Sequence, residues 1–130
     1  MSALSPQVIE FAARYVVSLD DLQVLLTCMQ GRDRWWDADG MGRQLSIGAS
    51  AARRSLDRLA RGNLLDIRIT GDVRYQFNPG TPTLEASAQA CAAAYHANPI
   101  AVVQLVTGSG RRNLRDFADA FRIRDDDDRG

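Results

Sequence analysis

The spacing of apolar residues changes from a helical period to a strand period in the middle of the chain. From Ala49 to Arg61, apolar residues recur at steps of three and four, which predicts a helix with one packed face. Gly62 is expected to end it in the left-handed conformation. The apolar residues then alternate with polar ones, in Leu65 to Ile69 and in Val73 to Phe77. This period of two, interrupted by Thr70-Gly71-Asp72, predicts a β-hairpin whose two apolar rows face the helices.

Helical spacing on both sides of this unit predicts a mostly α-helical chain. Ser5-Pro6 and Ser18 are favourable first residues for helices, and Gly31 is a favourable end. A tight turn is expected at Ser46-Ile47-Gly48, directly before the helix that starts at Ala49. The other predicted helices are Pro6 to about Val16, Leu19 to about Met29, Ala38 to Leu45, Thr83 to about Ala97, Ile100 to Val106 and Leu114 to Ile123.

The composition is that of one globular domain. Of the 130 residues, 45% are hydrophobic and 25% are charged, which is typical of a folded soluble protein. No apolar run is long enough to cross a bilayer. The N-terminus, MSALSPQVIEF, lacks the basic region, apolar stretch and cleavage site of a secretory signal. We therefore expect a cytoplasmic protein without membrane contact.

The residue types that usually carry catalysis are sparse. Cys28 and Cys91 lie far apart among apolar residues, which favours buried thiols over a disulfide or a catalytic pair. His96 is the single histidine and cannot form a metal site by itself. The sequence has no phosphate-binding loop, and its carboxylates are scattered or terminal. We therefore expect no enzymatic activity, no cofactor and no bound metal.

Charge is balanced overall but unevenly distributed along the chain. There are 16 basic and 16 acidic residues, and every basic residue is an arginine. Five arginines and one acid, Asp57, lie between Arg43 and Arg61, whereas the C-terminus holds the acidic run Asp125 to Asp128. An arginine cluster of this kind is typical either of a nucleic-acid contact or of the solvated face of an ordinary helix.

The order helix, turn, arginine-bearing helix and hairpin is that of a winged helix-turn-helix. Residues 44–68, QLSIGASAARRSLDRLARGNLLDIR, resemble the core of MarR-type and related bacterial winged-helix transcriptional regulators. In that motif the second helix ends in a leucine, a glycine and two apolar residues, which here correspond to Leu59, Gly62, Leu64 and Leu65. The resemblance implies a mainly α fold with a small β-hairpin, in which a winged helix-turn-helix core is flanked by N- and C-terminal helices. It also implies a DNA-binding regulator of transcription.

If the resemblance holds, the second helix of the motif lies in the major groove of double-stranded DNA. Arginine can donate two hydrogen bonds to O6 and N7 of guanine. The residues implied in DNA binding are Ser50, Arg53 and Arg54 for base edges, and Arg43, Arg58 and Arg74 for phosphates. Asp57 and Asp66 are candidate partners of neighbouring arginines, which would use part of this charge within the protein.

A second function stays open, namely a winged-helix protein-interaction module that regulates another protein without binding DNA. Zero net charge and a short hairpin with a single basic residue near its tip, Arg74, favour this alternative. Substitution of Arg53 and Arg54 separates the two functions, since an interaction module does not need base contacts.

The resemblance divides the chain into an N-terminal helix (1–18), a winged helix-turn-helix core (19–80), a C-terminal helical extension (81–124) and an acidic tail (125–130). We expect a homodimer held by the first helix and by Leu84 to Ala97, or else a monomer whose core these helices cap. The acidic tail is either a solvated end or a competitor for the arginine cluster. Trp35, Trp36 and Tyr95 either belong to the core or line an effector pocket.

Overall fold

The computed structural model describes residues 4–108. Within this range the chain is mainly helical and contains one two-stranded antiparallel sheet, so the predicted combination of helices with a small hairpin is confirmed. The elements are α1 (Pro6–Tyr15), α2 (Leu19–Gln30), α3 (Ala38–Leu45), α4 (Ala49–Arg61), β1 (Leu65–Thr70), β2 (Asp72–Phe77), α5 (Pro82–Ala97) and α6 (Pro99–Thr107). The predicted helix Leu114 to Ile123 and the acidic tail lie outside the described residues.

Side-chain caps fix where the first two helices begin. The Ser5 hydroxyl accepts a hydrogen bond from the Val8 amide at 3.3 Å, and Pro6 occupies the first helical position. The Ser18 hydroxyl accepts from the Asp21 amide at 3.1 Å. Each cap satisfies an amide that has no partner inside its helix, which is why a serine at these positions starts a helix.

The core lies where α1, α2, α4, α5 and α6 meet the base of the hairpin. α5 packs on α1 and α6, while α2 packs on α4. Both cysteines are buried in this core and neither forms a disulfide. The largest fully buried side chains in the described range are those of Tyr75, Leu22, Leu25, Met41, Leu56, Leu59 and Leu64. No helix of residues 4–108 is both long enough and apolar enough to cross a membrane.

The hairpin has a third, very short neighbour. β1 and β2 pair in antiparallel register, with Leu65 opposite Phe77 and Ile69 opposite Val73. On the other side of β2, the Trp36 and Tyr75 backbones exchange hydrogen bonds of 2.7 and 2.8 Å. β2 is therefore the middle strand and β1 is the edge.

The edge position of β1 corrects the prediction that both apolar rows face the helices. Leu65, at the base of β1, is buried, but Ile67 is 48% and Ile69 is 73% exposed. Tyr75, directly opposite Ile67, is completely buried. The helices thus cover the middle strand and the base of the hairpin, and the apolar side of the edge strand stays in solvent.

The end of α4 also differs from the prediction. Gly62 has φ −81°, and the residue with left-handed backbone is Asn63, at φ 71°. Glycine is still needed at position 62, because a Cβ there would lie 2.8 Å from the Tyr15 ring. The Tyr15 ring beside the end of α4, rather than the backbone conformation, explains this glycine.

Candidate nucleic-acid interface

A short turn fixes α3 against α4. Ser46 adopts left-handed backbone at φ 58°, and the Ile47 amide donates to the Gly42 carbonyl at 2.9 Å. A Cβ on Gly42 would lie 2.8 Å from the Ile47 carbonyl oxygen and 3.4 Å from the Cα of Ala49. The missing side chain therefore lets α3 approach the start of α4 closely. This arrangement sets the direction in which α4 leaves the turn.

α4 has one buried face and one arginine face. Ala52, Leu56 and Leu59 are buried in the core, as their spacing predicted. The other sides of the helix carry Arg53, Arg54, Arg58 and Arg61. The four arginines differ strongly in what they contact, so the helix does not present a uniform basic surface.

Arg58 is bound to a buried carboxylate on another helix. Its Nε lies 2.9 Å from Oδ2 of Asp21, and an Nη lies 3.1 Å from Oδ1. Asp21 is completely buried, and its Oδ2 also accepts from the Val17 amide at 3.1 Å. The hydrogen bond with Asp21 raises the pKa of Arg58 above its ordinary value. Arg58, predicted as a phosphate contact, thus ties α4 to α2.

Arg53 belongs to a cluster with Asp57 and Tyr75. The Tyr75 hydroxyl donates to Oδ1 of Asp57, while Oδ2 of the same carboxylate lies 3.5 Å from Nε of Arg53. Burial, followed by the hydrogen bond to Asp57, raises the pKa of Tyr75 to about 12. Arg53 itself is exposed. The spacing of Arg53 and Asp57 predicted their pairing, but nothing in the sequence pointed to Tyr75.

Arg43, Ser50 and Arg54 are exposed. None of the ion pairs between residues 4 and 108 includes Arg43 or Arg54. Ser50 and Arg54 line a shallow groove of about 340 Å³ together with Arg53 and Asp39. The start of α4 therefore presents a hydroxyl and two guanidinium groups to solvent, beside one acid from α3.

The outer face of the hairpin carries a second group of arginines. Arg74 pairs with Asp72 at 2.9 Å, and both side chains are partly exposed. Arg68 lies directly opposite Arg74 and stacks on the Trp35 ring at 4.3 Å. Exposed ion pairs contribute little to stability, so Arg74 can exchange Asp72 for another anion. Sequence reasoning missed Arg68, although the register of the predicted hairpin places it opposite Arg74.

The two tryptophans considered above as core or pocket residues are both covered by arginine side chains. Trp36 is buried, with Arg34 stacked on its ring at 3.8 Å, and Trp35 is covered by Arg68. A groove of about 910 Å³ lies elsewhere, between α1 and α5. Its lining includes Glu10 and Arg14 but none of Trp35, Trp36 and Tyr95.

No group of three histidine, cysteine or carboxylate residues suited to a metal ion occurs among residues 4–108. Burial raises the pKa of Cys28 to about 12 and that of Cys91 to about 11, which keeps both thiols protonated at neutral pH.

Comparison with known proteins adds no analogy on which a function could rest. The chain matches no family model, no curated protein and no solved structure.

Proposed function

We propose that the protein is a winged helix-turn-helix transcriptional regulator that binds double-stranded DNA. The order α2, Trp36 bridge, α3, α4, β1, β2 supports this proposal, because it is the order of helices and strands in a winged helix. In this interpretation Trp36 is a one-residue first strand, α4 is the recognition helix and the hairpin is the wing.

The observation that carries the proposal is that Arg43 and Arg54 are exposed and take part in none of the ion pairs among residues 4–108. With its apolar side buried against α2 and the hairpin, α4 presents Ser50 and Arg54 to solvent, and Arg43 extends this surface from α3. Solvated guanidinium groups without an internal partner are available to phosphates and base edges. Ser50, Arg53 and Arg54 are proposed to contact base edges, and Arg43 and Arg74 to contact phosphates.

Arg58 receives a different role in the proposal from the one its position in the sequence predicted. A phosphate would have to compete with the buried Asp21 carboxylate, and breaking a buried pair leaves an uncompensated charge. Arg58 is therefore proposed to hold α4 in place while the neighbouring arginines bind DNA.

The direct test is a salt titration of binding to a labelled duplex of mixed sequence, followed by fluorescence anisotropy. The logarithm of the binding constant should fall linearly with the logarithm of salt concentration, with a slope of about 0.9 per phosphate contacted. Arg43→Ala should lower the slope by about one unit. Arg14→Ala on α1 removes the same charge and should change neither slope nor affinity, once sedimentation velocity shows an unchanged oligomeric state.

Two outcomes contradict the proposal. The first is no binding at low salt. The second is an Arg43→Ala, Arg54→Ala double variant that binds as well as the Arg14→Ala control. Either result would leave the exposed arginines as an ordinary solvated face.

A second candidate function is a winged-helix module that binds another protein instead of DNA. The exposed Ile67 and Ile69 favour it, because an apolar row on an edge strand can take up a partner. Under this alternative, Ile69→Asp abolishes the regulatory activity, whereas Arg54→Ala leaves it intact. The opposite pattern supports DNA binding.

The regulator is further proposed to act as a homodimer through α1 and α5, which lie side by side and leave a large groove between them. Sedimentation velocity over a range of concentrations tests this proposal. A monomer at every concentration would instead indicate that these helices only cap the core.

A further inference from the structure

We propose that Tyr75 is a positioning residue, which acts through Asp57 to orient Arg53 for recognition of one guanine in the major groove. This inference rests on the proposed function and names a determinant of its base specificity. Tyr75 is completely buried and so cannot touch DNA itself.

Tyr75 is held firmly within the sheet. Its backbone is hydrogen-bonded to Trp36 in both directions, and the residue lies on the middle strand opposite Ile67. A buried tyrosine fixed at its backbone has little freedom to move its hydroxyl. The donor that reaches Asp57 is therefore in a fixed place.

The Tyr75 hydroxyl fixes the Asp57 carboxylate. Oδ1 accepts from Tyr75, and Oδ2 faces Nε of Arg53, which lies one helical turn earlier on α4. The carboxylate thus has one oxygen directed to the core and the other to the arginine. Without the tyrosine, this half-buried carboxylate could rotate among several orientations.

Asp57 in turn orients Arg53. Its contact with Asp57 is made by Nε, while its side chain remains 53% exposed. Bidentate recognition of guanine needs two guanidinium nitrogens directed at O6 and N7. A guanidinium held at its Nε side can offer its two Nη groups to a base.

Other carboxylates make this support necessary. Asp39, at the start of α3, and Asp72, at the tip of the hairpin, line the same shallow grooves as Arg53. Without a fixed Asp57, the guanidinium could turn to either of them and away from a base. Arg54, the next residue, has no carboxylate partner among residues 4–108 and therefore does not depend on Tyr75.

The experiment compares base preference between full-length variants. Duplexes selected by the wild-type protein from a random pool identify the preferred site, and binding is then measured with each position substituted in turn. Arg53→Ala should lower the preference for guanine at one position by roughly five- to 150-fold. Tyr75→Phe and Asp57→Asn should lower the same preference by about three- to tenfold, without altering the salt slope.

Two controls separate positioning from a general structural effect. Tyr95→Phe removes a hydroxyl from a half-buried tyrosine on α5 and should leave base preference unchanged. In an Arg53→Ala background, Tyr75→Phe should have no further effect on the guanine preference, because the two changes act through one contact. A simple loss of stability would weaken binding at all positions in both backgrounds.

An NMR measurement on the DNA-free protein makes the two proposals separately testable. The Nε–H signal of Arg53 should be sharp in the wild type and broadened in Tyr75→Phe, while the Arg54 signal is the same in both. If the wild type binds no DNA, the proposed function and this inference both fall. If the wild type binds DNA but Tyr75→Phe keeps the full guanine preference or an unchanged Arg53 signal, this inference alone is overturned.

Discussion

Arg58 and Asp21 form a two-point ion pair between α4 and α2, with N–O distances of 2.9 and 3.1 Å. The arginine is partly exposed, but the aspartate is completely buried. The desolvation penalty of this ion pair therefore arises almost entirely from the carboxylate. The hydrogen bonds from Arg58 and from the Val17 amide compensate for it. Arg58 is consequently a structural residue within an arginine cluster that otherwise faces solvent.

Arg58→Ala should destabilise the protein by about 3 kcal/mol, because it leaves the Asp21 charge buried with a single hydrogen-bond donor. Arg61→Ala, on the same helix but exposed, is the matched control and should change the free energy of unfolding by less than about 0.5 kcal/mol. Urea denaturation followed by circular dichroism measures both. Equal effects of the two substitutions would contradict the structural role of Arg58.

Alkaline pH should destabilise the protein through Tyr75. Its pKa is raised from 10.0 to about 12 in the folded protein, so the unfolded chain loses this proton first and binds fewer protons between those values. Stability should therefore fall as the pH rises through this window, by at most about 1.4 kcal/mol per pH unit. Urea unfolding of wild type and Tyr75→Phe across that range isolates the effect. Parallel curves for the two proteins would contradict it.

The two thiols should report on unfolding rather than on function. Cys28 and Cys91 are buried, and burial raises the pKa of both. A chromogenic disulfide reagent should therefore leave the native protein unmodified at neutral pH and label both cysteines in denaturant. Rapid labelling of the native protein would show that at least one thiol is accessible.

Gly42→Ala should destabilise the α3–α4 unit by about 1 to 3 kcal/mol, because the new Cβ would meet the Ile47 carbonyl oxygen. Gly48→Ser is the matched control: no atom lies within 4 Å of a Cβ there, and serine is a favourable first residue for α4. The melting temperature should fall for the first variant and not for the second. A tolerated Gly42→Ala would mean that the turn adjusts easily.

The two ends of β1 should respond very differently to truncation. Leu65→Ala removes a buried side chain and should cost about 2 to 4 kcal/mol. Ile69→Ala, on the same face of the same strand, removes a side chain that is 73% exposed and should cost less than about 1 kcal/mol. Chemical denaturation checks the difference. Similar costs would indicate that Ile69 is covered by a surface outside residues 4–108.

Local sequence signals predicted most of the fold. Apolar periodicity, capping residues and glycines are local features of a sequence. They predicted the residues at which α3 and α4 begin and end. The exposure of Ile67 could not be predicted in this way. An alternating strand looks the same whether it is central or at an edge, and only the Trp36–Tyr75 pairing, 39 positions apart, decides which strand is outermost.

The solvent-facing side of α4 was predictable from the sequence, whereas the partners of its arginines were predictable only in part. Arg53 and Asp57 lie one turn apart, so their contact follows from helical geometry. The helical pattern places Arg58, like Arg53, away from the apolar face of α4, but the partner of Arg58 lies 37 residues away on α2. Tyr75 is a similar case. The alternation of apolar and polar residues along β2 indicates that Tyr75 is buried, but the partner of its hydroxyl depends on how the hairpin docks on α4.

The Trp36–Tyr75 bridge closes the chain around α3, α4 and β1, with both ends of that stretch hydrogen-bonded to each other. A stretch closed at its base opens to solvent as a cooperative unit rather than by fraying. Amide protons of α3 and α4 should consequently exchange with deuterium at one shared opening free energy. The turn that aims the arginines is then as long-lived as the helices it joins.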